Sequence, residues 1–346
     1  DDAQHWVTVT VRRRNRTSWA DADHEIVAHQ YRVHGQVPPQ RRKRAATPVA
    51  DLHYEISPET GALSSLVIHD NELLAGPMQP WLTRALTDND AASFGPERAG
   101  LQWSEAGYDR LDLVVRSINE QDGTSESNVL LRCEDTGVSF RFRTRFELIA
   151  GVLVVTSRFA PTQQCPAHLP HLPRLGHRLR LRRSLATIDW FGPGPAETYS
   201  DRHIANLVGR YSAPVDAQRY PYVVPQESGN HHAITWAALR SEGGIGLVVF
   251  GDSPLDVNAG VHDEDHVNQA RHHHELIELD EVHLHIDHRQ SGVGNASCGP
   301  GVLERHRVPP IPTVWRWAIA PMAGGGDPAA LYRAGIPGSP ATLTLL

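Results

Sequence analysis

The sequence predicts an all-β fold, a large two-sheet antiparallel β-sandwich, and three observations support this prediction. Apolar and charged side chains alternate between Val138 and Phe146, the pattern of a strand with one buried and one solvated face. Helical periodicity is nearly absent along the 346 residues. The 28 glycines and 25 prolines interrupt the apolar runs at short intervals, as turns between strands do.

The apolar runs predict the elements in chain order. One helix is predicted near residues 263–274, where Asp263 or Asp265 can cap a segment that contains Val267 and Ala270. The predicted strands cover residues 5–11, 25–33, 111–117, 138–148, 152–159, 175–181, 234–239, 245–250, 282–287 and 313–320.

Three segments are expected along the chain. Residues 1–34 hold only two strands, and an isolated two-stranded ribbon is marginally stable in water, so another part of a protein is expected to complete them. Residues 35–48 lack an apolar period and predict a linker, whose basic run Arg41–Arg44 is typical of a solvated segment rather than an RNA or localisation signal. Residues 49–346 form the large sandwich domain.

Composition excludes several function classes. A net charge of -7 disfavours a nucleic-acid partner, and no run approaches the 18 or so apolar residues of a membrane helix. Three scattered cysteines do not make a disulfide framework, and no charged-then-apolar signal segment precedes the first strand. A cytoplasmic location is therefore expected.

Six sequence blocks, in this order and spacing, carry a family resemblance. They are PETGAL (58–63), WLTRALTDND (81–90), LPRLG (172–176), WFGPGPAETYSDR (190–202), PYVVPQESGN (221–230) and GVGNASCGP (292–300). Together they resemble the C-terminal domain of the large β-galactosidases of glycoside hydrolase family 2. The resemblance implies a sandwich of the galactose mutarotase type, and it makes residues 1–34 similar to the last hairpin of an immunoglobulin-like domain.

The resemblance implies retaining hydrolysis of terminal non-reducing β-D-galactosides such as lactose. Such hydrolysis needs two carboxyl groups about 5 Å apart. In the family both are glutamates on a (β/α)8 barrel, and this sequence has no alternating strand–helix pattern long enough to form one. No catalytic residue, no metal ligand and no cofactor is therefore expected in this chain, because the family's magnesium and sodium sites belong to the barrel. The expected partners are the barrel domain or large subunit, the galactoside and further copies of the parent enzyme.

Two segments are the candidate substrate-binding sites. The resemblance implies that the loop containing Asn295, Ser297 and Cys298 reaches the barrel's mouth, where some members have an aromatic residue and others a cysteine. A thiol there would contact the sugar by packing, because glycosidic acetals are not thiolate substrates. The alternative is a buried, inert cysteine. Asn89 and Asp90 open the second segment, which in the family borders the active site; a plain surface loop is the alternative.

Other polar residues have competing interpretations. Two of the residues Glu197, Asp201 and Glu227 could form a catalytic pair within this chain. Carboxylates in glycine- and proline-rich segments, however, more often cap turns or hold arginines. A free-standing carbohydrate-binding or aldose-mutarotase-like protein is the competing function, with His231 or His232 beside Glu227 as its site. The histidine runs 272–274 and 283–285 give weak support to zinc, because no third ligand is evident.

Overall fold

The computed structural model describes residues 5–33, 51–92, 98–294 and 301–338. Strands dominate these residues. The strands are β1 (His5–Arg12), β2 (Glu25–Val33), β3 (Leu52–Ile56), β4 (Leu63–Ile68), β5 (Asn71–Glu72), β6 (Leu74–Trp81), β7 (Asp112–Gln121), β8 (Thr124–Arg132), β9 (Ser139–Ile149), β10 (Val152–Pro161), β11 (Arg174–Arg182), β12 (Thr187–Gly194), β13 (Leu207–Pro214), β14 (Asn230–Arg240), β15 (Gly246–Gly260), β16 (Glu281–Gln290) and β17 (Thr313–Met322). The helices are α1 (Asp88–Ala92), α2 (Ala99–Glu105), α3 (Glu264–Gln269) and α4 (Pro328–Ala334).

A twelve-stranded antiparallel sheet forms the body of the fold and divides into two layers at β15. One layer runs β13-β12-β14-β15-β17-β10-β9-β8-β7. Residues Gly246–Gly251 of β15 pair with β17 in this layer, whereas Asp256–Gly260 pair with β16, which continues to β11 and β6. The predicted all-β, two-layer antiparallel architecture is confirmed.

The two layers pack their apolar faces together. In β9 the phenylalanines are buried and the intervening arginines are exposed, as the alternation predicted: Phe140, Phe142 and Phe146 against Arg141, Arg143 and Arg145. The Phe142 ring lies 5.1 Å from the ring of His177 in the opposite layer, and His177 Nε2 shares a 2.8 Å hydrogen bond with Ser157 Oγ of β10. Each buried phenylalanine contributes about 2–3 kcal/mol by its removal from water.

A second apolar cluster covers the outer face of the sheet under α4. Phe250 and Trp236 belong to this cluster, and the Tyr332 ring of α4 meets Phe250 edge-on at 6.1 Å. Asp327 caps α4 by accepting a hydrogen bond from Ala329 N, and Pro328 occupies the first turn. Residues 236–239 of β14, 247–250 of β15 and 317–322 of β17 are therefore buried on both faces, which explains why these stretches are continuous apolar runs.

The helices were predicted only in part. Asp263 caps α3 as expected, accepting from Asp265 N at 2.9 Å, but the helix ends at Gln269 and does not reach His274. The prediction of a single helix was wrong, because α1, α2 and α4 are also present. Each has five to seven residues, which is too short for a 3.6-residue apolar period to show.

The glycine-rich block 190–202 contains the end of a strand that the sequence did not predict. β12 pairs with β13 through Gly194 and with β14 through Phe191. A Cβ at Gly194 would lie 2.6 Å from the Tyr211 ring, so glycine at this position allows the ring to pack against the strand. The local composition of this segment is therefore typical of a loop, whereas its pairing with the distant strands β13 and β14 makes it a strand.

The hairpin β1–β2 forms a separate two-stranded sheet. Gln30 joins it to the large sheet, since its Nε2 donates to Val208 O at 3.0 Å and its Oε1 accepts from Val208 N at 2.6 Å. Many of its large apolar side chains are exposed: Val7, Val9, Val11, Trp19, Ile26, Val27, Tyr31 and Val33. The predicted linker, residues 35–48, lies outside the described residues, so the proposed domain boundaries stay predictions.

We expect the amides of β1 and β2 to exchange with solvent well before those of β9 and β10. The reason is that the hairpin buries little apolar surface and can open locally. Hydrogen exchange followed by mass spectrometry measures this difference, and Gln30→Ala should increase it, whereas Gln121→Ala at the exposed end of β7 should not. Equal protection of β1 and β9 would contradict the expectation.

Candidate functional site

The residues Gly292, Val293 and Gly294 form the base of the loop that contains the predicted substrate contacts; we call these three residues the loop base. Asn295, Ser297 and Cys298 lie outside the described residues. The loop base follows β16, whose last residue is Gln290. Its backbone is held by side chains from two distant parts of the chain, residues 84–90 and Asp201.

Asn89 of α1 contacts the loop base directly. Its Nδ2 donates a 2.8 Å hydrogen bond to Val293 O. Gly294 has a φ of +90°, and a Cβ there would lie 2.4 Å from Asn89 Nδ2, so both its conformation and its space require glycine. Two segments that the sequence proposed separately are thus brought together.

Asp90 acts through Arg84 rather than through an exposed carboxylate. Arg84 Nη2 lies 3.0 and 2.9 Å from the two oxygens of Asp90, and both side chains are buried. The same arginine donates from Nη1 to Ser291 O at 2.6 Å and from Nη2 to Gly292 O at 3.0 Å. The ion pair therefore fixes the chain where it enters the loop base.

Asp201, in the sequence block 190–202, also holds the loop base. Its two carboxylate oxygens accept from Val293 N at 3.1 Å and from Gly294 N at 2.8 Å. A Cβ at Gly292 would lie 2.3 Å from Asp201 Oδ2, so glycine is required for this close approach. Asp201 accepts hydrogen bonds from backbone N–H groups, which agrees with a turn-capping role rather than a catalytic one.

Arg174, the first residue of β11, is fully buried among three carboxylates. Its Nη2 donates to Glu227 Oε1 at 3.2 Å, its Nη1 lies 3.6 Å from Glu264 Oε1, and its Nε lies 3.6 Å from Asp287 Oδ2. Gly176 makes room for Asp287, since a Cβ there would lie 2.1 Å from Asp287 Oδ1. A cavity of about 40 Å³ adjoins this cluster and has room for a few waters.

One guanidinium cannot neutralise three buried carboxylates. Burial, opposed by the charge of Arg174 and assisted by the negative charge of Glu227, raises the pKa of Glu264 to about 7. Burial also raises the pKa of Asp287 well above its usual range, against the pull of Arg174. The cluster therefore retains protons near neutral pH.

The two remaining candidate carboxylates also have internal partners. Glu227 accepts from Asn258 Nδ2 at 3.3 Å and Gln290 Nε2 at 2.9 Å, in addition to Arg174. Glu197 pairs with Arg202 and accepts from Tyr222 OH at 2.5 Å and from Gly229 N at 2.6 Å. These contacts agree with turn-holding and arginine-pairing roles.

The candidate histidines near Glu227 have separate partners. His231 stacks on Trp190 with ring centroids 4.0 Å apart, and its Nε2 is 2.8 Å from Gln218 Oε1. His232 Nδ1 lies 2.7 Å from Asp256 Oδ1, and despite burial this carboxylate raises the pKa of His232. These hydrogen bonds tie each ring to a neighbour other than Glu227.

The histidine runs place one possible metal-binding group among the described residues. His272, His274 and Glu275 are exposed and could each offer a ligand atom, all within 4.8 Å of one another. His283 instead shares a 2.8 Å hydrogen bond with Glu281, and His285 Nε2 lies 3.6 Å from Glu264 Oε1. Burial lowers the pKa of His283 and of His285, so both rings are neutral at pH 7.

Most of the chain matches a known protein family. Residues 49–319 match the family model described as the β-galactosidase small chain. The chain belongs to the β-galactosidase small-chain family. The match begins at the start of the predicted sandwich domain and ends within β17.

Curated relatives of this small-chain domain carry the name β-galactosidase. The chain is 27% identical over 325 residues to one from Arthrobacter sp. (strain B7) and 30% identical over 264 residues to one from Actinobacillus pleuropneumoniae. These alignments cover 87% and 74% of this chain but only 32% and 24% of those proteins. The small-chain domain thus spans about a quarter to a third of the length of these relatives.

Solved structures resemble the small-chain domain more distantly. A putative aldose 1-epimerase from Escherichia coli K12 aligns with 79% of this chain and 96% of its own, at 12% identity and a TM-score of 0.46. A galactose mutarotase related enzyme from Lactobacillus acidophilus aligns with 78% of this chain and 94% of its own, at 9% identity and a TM-score of 0.43.

Two arginines that organise this small-chain domain were not singled out from the sequence. Both lie within the family blocks: Arg84 stands between Thr83 and Ala85 in a mostly apolar stretch, and Arg174 stands between Pro173 and Leu175. A charge in an apolar run is a signal of a buried ion pair, since isolated charges are rarely buried. The identity of the partners requires the fold.

We expect Arg174→Met to destabilise the small-chain domain by roughly 3–5 kcal/mol, because it leaves three carboxylates buried without their cation. Arg12→Met is the matched control, since Arg12 pairs with Asp23 on the exposed hairpin and such pairs contribute about 1 kcal/mol or less. Urea unfolding monitored by circular dichroism measures both variants. Equal, small losses in the two would contradict the role given to Arg174.

Glu264 should make stability depend on pH. Its folded pKa, about 7, lies above the ordinary 4.5, so the folded chain binds this proton more tightly and its stabilising contribution is lost as pH rises through 7. The unfolding free energy of the wild type minus that of Glu264→Gln should therefore fall by roughly 3 kcal/mol between pH 4.5 and 8.

Glu281→Gln is the control of opposite sign for this experiment. Despite partial burial, hydrogen bonds from Arg180 and His283 lower the pKa of Glu281, so its contribution is complete above 4.5 and is lost only in more acidic solution. The unfolding free energy of the wild type minus that of Glu281→Gln should stay constant from pH 5 to 8. If the difference in unfolding free energy between the wild type and Glu264→Gln is also constant over this pH range, the raised pKa of Glu264 is contradicted.

Proposed function

We propose that this chain is the C-terminal portion of a β-galactosidase that hydrolyses terminal non-reducing β-D-galactosides with retention. The membership of the small-chain family supports this proposal. A barrel domain or large subunit supplies the acid/base and nucleophilic glutamates that retaining hydrolysis needs. The role of this chain is to complete the substrate pocket and to bury surface against the catalytic part, in the cytoplasm.

The loop base is the observation on which this role depends. Asn89, the Arg84–Asp90 pair and Asp201 all bind the backbone of residues 291–294. An exposed loop needs no such buried ion pair, whereas a loop that must present groups to a substrate needs a rigid support. We propose that Asn295, Ser297 and Cys298 contact the galactoside beyond this support.

Asn89 and Asp90 act in this proposal as positioning residues. Their polar atoms are directed to Val293 and Arg84, so their effect on the sugar passes through the loop base. Cys298 contacts the sugar by packing and does not attack it. In this proposal the residues of the barrel carry out all bond breaking.

Exposed apolar side chains lie near Asp201 in two segments, which the 2.8 Å hydrogen bond from Arg202 to Tyr222 OH joins. Ile204 and Val223 are 85% and 88% exposed, and Tyr220 and Val224 are also exposed. Contiguous exposed apolar side chains mark surfaces that another protein covers. We propose that the barrel domain covers this surface, which would bring its pocket beside the loop base.

No Mg²⁺ or Na⁺ ligand is proposed in this chain. The three-residue group His272, His274 and Glu275 offers two imidazoles and one carboxylate. Hard cations such as Mg²⁺ prefer oxygen ligands, so this donor set does not fit them. The metal sites that the family implies are proposed to lie in the barrel.

We expect Asp201→Asn, in the complete enzyme that contains this chain, to lower kcat/KM for a chromogenic β-galactoside by about 10-fold or more. An amide offers one acceptor where the carboxylate offers two, so the loop base loosens, and small misplacements of reacting groups cost up to about 100-fold. Steady-state kinetics and the melting temperature should be measured on the same preparations.

Asp189→Asn is the matched control, because Asp189 pairs with Arg240 in the same sheet and away from the loop base. It should leave kcat/KM unchanged. The 346-residue chain alone should show no turnover. Unchanged kcat/KM in Asp201→Asn, or turnover of about 1 per second by the chain alone, would contradict the proposed function.

A further inference from the structure

The connection between α3 and β16 brings two histidines and a glutamate together. Its centre is a single 3-10 turn, His273–Glu275. His272, His274 and Glu275 are exposed, and their ligand atoms all lie within 4.8 Å of one another. No third ligand was evident for this histidine run from the sequence. The turn supplies one, because residues three apart stand on the same side of a 3-10 turn.

Glu275 is held in place by the backbone of its own turn. Its Oε2 accepts from Arg271 N at 2.7 Å and from His272 N at 3.3 Å, and its Oε1 lies 3.2 Å from His272 Nδ1. Two ligands at tetrahedral positions around Zn²⁺ are roughly 3.4 Å apart, so this spacing already suits the ion. The rings of His272 and His274 are nearly parallel with centroids 5.4 Å apart, which places the second imidazole beside the first.

His273 has a different role, although it stands between the other two histidines. Its Nε2 shares a 2.5 Å hydrogen bond with Tyr222 O. Tyr222 OH in turn donates to Glu197 and accepts from Arg202. The middle histidine thus anchors the turn to a neighbouring segment and leaves the imidazoles of His272 and His274 for a ligand.

The chemistry of the donor atoms selects the ion. Two imidazole nitrogens and one carboxylate oxygen suit Zn²⁺, whereas Mg²⁺ and Ca²⁺ prefer oxygen ligands. Three protein ligands leave the fourth tetrahedral position open to water. The side chains of His272 and Glu275 are 62% and 41% exposed, so an ion reaches them without any opening of the fold.

From these observations we propose that His272, His274 and Glu275 bind one Zn²⁺ ion. The ion cross-links the two ends of the turn and so stabilises it, together with the contact that His273 makes to Tyr222. The site does not depend on the proposed hydrolytic function, and it can be tested on the 346-residue chain without any catalytic part.

Isothermal titration calorimetry of the metal-free chain with zinc chloride tests the proposal. One Zn²⁺ should bind saturably with a Kd below about 100 µM. Glu275→Gln should weaken binding about 10-fold or more, because loss of even an outer-shell partner lowers metal affinity by about 10–100-fold. This variant distinguishes the site from a bare histidine run, since it keeps every histidine and its amide oxygen can still accept from Arg271 N. Magnesium chloride at the same concentration should neither bind nor compete.

His53→Ala is the matched control. His53 is also exposed beside a carboxylate, with Nε2 2.6 Å from Asp51 Oδ1, but this pair belongs to no three-ligand group in the described part of the chain. Its loss should leave zinc affinity unchanged. Hydrogen exchange gives a second measurement, since Zn²⁺ should slow exchange of the amides of Glu275 and Leu276, which donate within the turn, in the wild type but not in Glu275→Gln.

Circular dichroism checks the folding of each variant, and the exposure of Glu275 makes misfolding of Glu275→Gln unexpected. Absence of saturable binding in the stated range would overturn the proposal. Equal zinc affinity in the wild type and Glu275→Gln, or an equal loss of affinity in His53→Ala, would also overturn it.

Discussion

The burial of Arg174 among Glu227, Glu264 and Asp287 is the interaction on which the rest of the structure depends. The arginine begins β11, Asp287 lies in the paired strand β16, Glu264 begins α3, and Glu227 precedes β14. One guanidinium therefore connects two strands, a helix and a long loop at the same end of the sandwich. Removing it would leave the remaining negative charge of the cluster buried without its cation, which is why a single substitution there should cost more than the loss of any surface ion pair. Burial, together with the charge of Glu227, also explains why the pKa of Glu264 is raised to about 7.

The same end of the sandwich uses carboxylates to hold backbone N–H groups. Asp256 accepts from Ala233 N at 2.9 Å and from Gln290 N at 2.8 Å, and it also pairs with His232. Asp201 binds the next stretch of backbone, at Val293 and Gly294. A chain that leaves a sheet loses the ladder partners of its amides, and these carboxylates replace them. The loop after β16 is thus supported residue by residue until Gly294, as expected if the family's substrate contacts follow.

Glu264 links the Arg174 cluster to a second, larger cavity of about 390 Å³, which Trp81 and Trp103 also line. One of its oxygens accepts from Trp81 Nε1 and Thr83 Oγ1, and the other lies 3.6 Å from both Arg174 and His285 without a hydrogen bond. The Arg174 cluster and the wall of the larger cavity are therefore neighbouring parts of one polar network.

The sequence by itself determined the fold class, the capped start of α3, the buried face of β9 and the family, because these follow from local alternation, local capping and blocks that are contiguous in the chain. The block 292–300, which contains the loop base, was also recognisable from the family resemblance. Only the tertiary structure decided that Asn89 and Asp201 meet there, that Arg174 has three carboxylate partners, and that β12 is a strand. Each of these depends on strand register and on contacts between residues far apart in the chain, and no local pattern encodes which distant carboxylate a buried arginine will find.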